Sequence, residues 1–124
     1  MRLRRSRTLL ECATGRGHQP ADRLPAKPQL AVDELGRIAV SVYALSIARA
    51  RIDVMLYLSE PGRPAFGPPR RVTTQSFDPT QAVNTGRTRW LGNYQGVATS
   101  GTAIHPIWTD TRTGDTQIFT ATLR

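Results

Sequence analysis

Short runs that alternate between apolar and polar residues, and that are rich in branched side chains, recur along residues 28–124 and predict β-strands. Glycines at Gly36, Gly101 and Gly114 mark turns between several of these runs. Connections as short as these join neighbouring antiparallel strands. The predicted strands are 29–32, 37–45, 51–58, 70–75, 95–100, 102–109 and 117–123.

The predicted strands fall into two units that share one plan. Segments 30–43 and 96–110 each contain a short strand, a turn with glycine, and a second strand with an aromatic residue near its end. Repeated up-and-down sheets of about four strands are typical of β-propellers. We therefore predict an all-β fold of two antiparallel blades, one four-stranded and one three-stranded. They comprise a blade over 28–75, a long loop over 76–94 and a partial blade over 95–124.

Residues 1–27 are set apart from the rest by their charge. They carry +5 of the net charge of +8, and four Gly and Pro residues interrupt them between positions 15 and 25. The apolar run after the basic start is only Leu9-Leu10, whereas a secretory signal needs an apolar region of about 7–15 residues. We predict a disordered basic tail, with a short helix or strand at 7–13 as its one candidate element.

The composition argues against several classes of protein. No apolar run comes near the roughly 18 residues that a membrane span needs. Cys12 is the only cysteine, and His18 and His105 lie far apart, so neither an internal disulfide nor a zinc site is expected. No other cofactor is expected. Nucleic-acid binding is the least favoured function, because residues 28–124 hold only +3 of the charge.

Several segments resemble one known family. The most specific is HPIWTDTRTG at 105–114 followed by QIFTA at 117–121, and LAVDELGRIAV at 30–40 and LGNYQGVA at 91–98 add to it. Together they resemble the C-terminal blades of sialidase-type (neuraminidase-like, Asp-box or BNR repeat) six-bladed β-propellers. The family's Asp-box, S-x-D-x-G-x-T-W, is degenerate here as SEPGRPAF at 59–66, so we expect its turn-stabilising side-chain hydrogen bonds to be missing.

The resemblance implies a ligand site on one rim of the blades. Sialidases bind the carboxylate of an acidic sugar with arginines, which pair with it through two hydrogen bonds, and they use a tyrosine as nucleophile. The residues with suitable chemistry are Tyr94, Asp110 and Arg112 as catalytic candidates, and Arg87, Arg89, Trp90, Asn93 and Arg112 as ligand-binding candidates.

All of these candidates except Asn93 also have a structural interpretation, which we weight more heavily. Asp110 and Arg112 span a tight turn, where Asp commonly accepts hydrogen bonds from backbone N–H groups and Arg pairs with it. Tyr94 would pack its ring, Trp90 and Trp108 would pack between blades, and His105 would be a structural residue within a strand. Arg87 and Arg89 would be solvated on a polar loop.

Two blades cannot close a ring. The resemblance therefore implies a fragment of a longer gene product, a short paralogue, or a chain that self-associates through exposed blade faces and edges. The parent protein would be a glycoside hydrolase or a glycan-binding protein, and the isolated chain is expected to be inactive because the site needs residues from the whole ring. The alternative is a non-enzymatic β-repeat module for protein or cell-surface contact. Proteins of this family are often secreted, but no export signal here indicates a compartment.

Overall fold

The computed structural model of the chain describes residues 23–84, 89–90 and 95–124. These residues form antiparallel sheets, and the prediction of an all-β fold with one four-stranded and one three-stranded sheet is confirmed. No helix in the described ranges is long and apolar enough to cross a membrane. The strands are β1 (Arg23–Val32), β2 (Ile38–Ser46), β3 (Arg51–Leu58), β4 (Arg70–Arg71), β5 (Val83–Asn84), β6 (Arg89–Trp90), β7 (Gly96–Ser100), β8 (Ala103–Asp110) and β9 (Gln117–Thr120).

The first sheet has the strand order β1-β2-β3-β4. Its first strand begins at Arg23, so the predicted start of order near residue 28 was too late. Pro25 and Pro28 argued against a strand, but β1 lies at the edge of the sheet, where proline is tolerated. A register shift accompanies Lys27, whose φ is 50°. The remainder of the predicted tail, residues 1–22, lies outside the described residues.

The fourth strand is shorter than predicted, because β4 covers two residues instead of 70–75. Val72 still donates its N–H to the Val54 carbonyl at 2.8 Å. The Val54 N–H, however, is bonded to the hydroxyl of Thr73 at 3.2 Å rather than to a backbone carbonyl. This side chain replaces the expected ladder bond, and the strand ends there.

The second sheet has the strand order β7-β8-β9. Its strands begin within one residue of the predicted positions, but β9 ends at Thr120 rather than at 123. Pro106 in the central strand has no N–H to donate toward β9. The regular ladder therefore stops opposite it, and pairing resumes only at the bridge between Ile104 and Leu123.

The predicted long loop over 76–94 contains some regular structure. Pro79–Gln81 form a 3₁₀ turn that begins at Asp78, whose carboxylate accepts a hydrogen bond from the Thr80 N–H at 2.9 Å. The two-residue strands β5 and β6 then pair with each other. Short regular elements therefore lie within the segment that was predicted as a long loop.

The two large sheets pack face to face. The side chains that fill the space between them are Ala39, Tyr43, Ile52, Val54, Leu56 and Phe77 from the first half of the chain, and Ile104, Trp108 and Leu123 from the second sheet. Two hydrogen bonds join Tyr43 to the second sheet, because its hydroxyl donates to the Thr109 carbonyl at 3.2 Å and accepts from the Thr109 N–H at 3.0 Å. Trp108 therefore packs between the sheets, as its structural interpretation predicted.

The opposite face of the first sheet has its own apolar cluster, formed by Val40, Val42, Tyr57 and Phe66. Phe66 closes the degenerate Asp-box segment by forming a bridge with Ser59. The Ser59 hydroxyl accepts a hydrogen bond from the Ile38 N–H at 2.7 Å, and within the turn Arg63 pairs with Glu60. Other side chains therefore bond within this turn, while Pro61 and Ala65, at the Asp and Thr positions of the Asp-box, have no side-chain hydrogen-bonding group.

Candidate functional site

A group of charged and hydroxyl side chains surrounds Asp53, the third residue of β3. Its carboxylate is 2% exposed and accepts hydrogen bonds from two arginines, a threonine and a serine. The donors are Arg23 at 2.9 Å, Arg71 at 2.9–3.0 Å, Thr73 at 2.7 Å and Ser76 at 2.9 Å. They come from β1, from β4 and from the segment after β4, so folding alone brings them together.

These contacts determine the charge state of Asp53. Burial by itself raises the pKa of the carboxyl group, but the hydrogen bonds from Arg23, Thr73, Ser76 and Arg71 outweigh burial and lower the pKa to about 2. Asp53 is therefore a carboxylate at neutral pH, with all four partners arranged around it. Such a group holds strands together, and it has no tendency to take up a proton as a catalytic acid would.

Sequence reasoning did not select Asp53. The segment RIDVMLYL does single out Asp53, because it is the one acidic residue in a strand that is apolar after Arg51. Aspartate is rarely buried without partners, so an aspartate at this position predicts a buried ion pair. The identity of the partners could not be read from the sequence, since Arg23 lies 30 positions away and Arg71 lies 18 positions away.

Asp110 and Arg112, the two described catalytic candidates, are bonded to each other across the β8–β9 turn. The buried Asp110 carboxylate accepts from the Arg112 backbone N–H at 2.8 Å, and from the guanidinium Nε and Nη2 at 2.9 and 2.6 Å. The indole Nε1 of Trp108 donates to the same carboxylate at 3.1 Å. This arrangement agrees with the structural interpretation of the pair, and it leaves no side of Asp110 open to a substrate.

The Arg112 guanidinium has further contacts on the protein. Its Nη1 donates to the Thr74 hydroxyl at 3.1 Å, and its Cζ lies 4.5 Å from the centre of the Phe119 ring. The side chain is 16% exposed. An arginine that binds the carboxylate of a ligand must direct its Nη atoms outward, whereas Arg112 directs them to Asp110 and Thr74.

The first sheet contains a similar pair in its β1–β2 turn. The Asp33 carboxylate accepts from the Leu35 and Arg37 N–H groups at 3.0 and 2.9 Å, and from the Arg37 guanidinium at 2.6–2.7 Å. Burial raises the pKa of Asp33, but the hydrogen bonds from Arg37 outweigh it, so the pKa lies below its ordinary value. An Asp–Arg pair thus stabilises one turn in each sheet, which supports a structural role for Asp110 and Arg112.

The structure does not describe the side chains of the other candidates. Tyr94, Arg87 and Asn93 lie outside the described residues. The backbone of Arg89 and Trp90 forms β6, but their side chains also lie outside the described part of the structure. The predicted ligand-binding rim is therefore represented only by Arg112.

An open apolar cavity of about 350 Å³ lies on the second sheet, lined by Gln95, Gly96, Ile107, Trp108 and Ile118. Gly96 leaves room for Ile107, whose Cγ2 lies 3.3 Å from the position that a Cβ at residue 96 would occupy. The carboxamide of Gln95 is buried with neither its oxygen nor its nitrogen hydrogen-bonded. The lining residues of the cavity are thus mostly apolar and carry no charge, and Gln95 adds one carboxamide to them.

Two further observations bear on the chemistry of the chain. Within the described ranges, no three His, Cys, Asp or Glu side chains lie close enough together to hold a metal ion. Comparison of the chain with models of protein families, with curated protein sequences and with solved structures found no match. The resemblance to sialidase-type propellers therefore stays a prediction that rests on the residues quoted for it.

Proposed function

We propose that this chain is a non-enzymatic interaction module whose two sheets are built like neighbouring blades of a sialidase-type propeller. The observation that carries the proposal is the contrast between its polar and apolar side chains. Asp110 and Arg112 are occupied by internal contacts, whereas large apolar side chains are exposed on the sheets and turns. These are Leu24, Leu30, Val32, Leu35, Ile47, Ile107 and Ile118.

The positions of these side chains support an interaction role. Leu30 and Val32 on β1 lie opposite Val40 and Ile38 of β2, so they extend the apolar face that points away from the second sheet. Ile107 of the second sheet is also exposed, at 45%. Both outer surfaces of the pair of sheets are therefore partly apolar, as they would be where a further sheet or another protein packs.

Glycan recognition, as part of a larger propeller with a glycan-binding or glycoside hydrolase parent, is the second candidate. It is favoured by β6, which gives the backbone of Arg89 and Trp90 a regular pairing with β5 within the predicted long loop. Tryptophan is a residue type that stacks on sugar rings, and arginine is a residue type that pairs with the carboxylate of an acidic sugar.

The proposal is tested by incubating the purified chain with a fluorogenic sialoside. We expect no turnover, because the described catalytic candidates are bonded to each other. Matched Tyr94→Phe and Asp110→Asn variants serve as controls for contaminating activity, which they would not change. Turnover by the native chain that either variant abolishes would overturn the proposal and favour the enzymatic alternative.

A further inference from the structure

Among the residues that the structure describes, the strand β9 forms an open edge of the second sheet. It lies last in the order β7-β8-β9, and Gln117, Ile118 and Thr120 are all exposed. The Ile118 side chain is 66% exposed. In the first sheet the corresponding third strand, β3, is covered by β4.

The hydrogen-bond pattern shows which backbone groups are directed to this edge. Ile104 and Leu123 exchange both of their backbone hydrogen bonds at 2.8 Å, and Ala121 donates to the Pro106 carbonyl at 3.2 Å. Hydrogen-bonded pairs alternate along an antiparallel ladder. The N–H and C=O groups of Ile118 and Thr120 therefore point away from β8, to the side on which no described strand pairs.

The two edge strands of the first sheet carry protection against pairing that β9 lacks. The edge strand β1 contains Pro25, Pro28 and a register shift at Lys27. The edge strand β4 has two residues, both of them arginine. Prolines, bulges, charges and short length are the usual means of blocking edge-to-edge association. In contrast, β9 reads QIFT, with no charge and no proline.

We infer that β9 pairs antiparallel with β9 of a second copy of this chain, which joins two three-stranded sheets into one sheet of six strands. The inference rests on the proposed function, since it names the partner of the interaction module. In the register that satisfies the open edge, Ile118 of each copy lies opposite Thr120 of the other and Phe119 lies opposite Phe119. Each copy thus offers two N–H and two C=O groups to its partner.

Charge and apolar surface favour a second copy in this orientation. Asp115 precedes β9 and Arg124 follows it, so antiparallel pairing brings the acidic end of one strand near the basic end of the other. Parallel pairing would place like charges together, which is unfavourable. The exposed Ile107 and Ile118 side chains of the two copies would also form one continuous apolar surface.

Introducing a charge on the β9 edge tests the inference, with two matched variants. Ile118→Lys places a charge on the β9 edge, and Ile47→Lys makes the same change at an equally exposed isoleucine, 61% against 66%, in the β2–β3 turn. We expect the native chain and Ile47→Lys to sediment as dimers that dissociate on dilution. We expect Ile118→Lys to sediment as a monomer with an unchanged circular dichroism spectrum.

Amide hydrogen exchange locates the contact. We expect the Ile118 and Thr120 amides to become protected as protein concentration rises, while the Phe119 amide, which points toward β8, is protected at every concentration. A native chain that stays monomeric at 0.1–1 mM, roughly the range in which weak interfaces form, would overturn the inference. So would a dimer that Ile118→Lys leaves intact, or protection of Ile118 and Thr120 that requires an added peptide. None of these outcomes depends on sialoside turnover, so the two proposals can fail separately.

Discussion

Asp53 shows how one residue joins distant parts of the chain. Its carboxylate connects the first strand, the third strand and the segment after β4, and its partners Arg23 and Arg71 are 25% and 47% exposed. Exposed ion pairs contribute little to stability, but this carboxylate is itself buried. Removing it would leave two arginines that can turn toward water, so the main loss is that of the hydrogen bonds.

The low pKa of Asp53 makes stability depend on pH. A carboxyl group whose pKa is lower in the folded chain than in the unfolded chain stabilises the fold when it is ionised. With a folded pKa of about 2 against an ordinary value of 3.8, that contribution is complete above about pH 4 and is lost as the pH falls through 2. We expect the native chain to lose about 2 kcal/mol more stability between pH 5 and pH 2 than Asp53→Asn loses.

The experiment is urea unfolding of both proteins at several pH values. The comparison removes the effect of the other carboxyl groups, which the two proteins share. Equal losses in the two proteins would show that the pKa of Asp53 is not lowered.

At the end of β8, a side chain supplies the hydrogen bonds that a neighbouring strand would otherwise supply. Thr109 lies beyond the start of β7 at Gly96, so within the described residues no strand pairs with it on that side. The Tyr43 hydroxyl takes that place, by bonding both the N–H and the C=O of Thr109. Burial raises the pKa of Tyr43 and the Asp110 charge raises it further, although the bonds to Thr109 lower it in part. The hydroxyl therefore keeps its proton and can donate at neutral pH.

Tyr43→Phe should destabilise the fold by about 1–3 kcal/mol, because it leaves a buried N–H and a buried C=O without this partner. Tyr57→Phe is the matched control, since Tyr57 is equally buried. No described hydrogen bond involves its hydroxyl, so we expect a smaller change. Thermal unfolding followed by circular dichroism gives both values, and equal effects would contradict the role assigned to Tyr43.

At the scale of the whole molecule, the two sheets depend on the packing between them. Trp108 is 4% exposed, stacks on Phe119 and lies in the same cluster as Tyr43, Val54 and Phe77. Trp108→Ala should therefore lower the free energy of unfolding by about 3–5 kcal/mol, the usual cost of truncating a buried tryptophan. An unchanged melting midpoint would show that Trp108 is exposed, and would favour stacking on a sugar ring instead.

Much of the fold could be predicted from local pattern. The alternation in 37–45 and 51–58 and the turn at Gly101 locate the central strands, because strand periodicity and turn chemistry are properties of neighbouring residues. The ends of β1, β4 and β9 could not be predicted in this way. The start of β1 depends on its position at the edge of the sheet, the end of β4 on the Thr73 hydroxyl, and the end of β9 on Pro106. Each of these causes acts through a neighbouring strand.

The sequence by itself determined the all-β class and the two repeated sheets, since alternating residues and glycine turns act over a few positions. It also indicated that Asp110 and Arg112 form a turn pair. Only the tertiary structure decided that Asp53 bonds four side chains from distant parts of the chain, that Tyr43 joins the sheets, and that no described strand pairs with the outer side of β9. These features depend on residues 18 to 66 positions apart, and chain folding alone determines which distant groups meet.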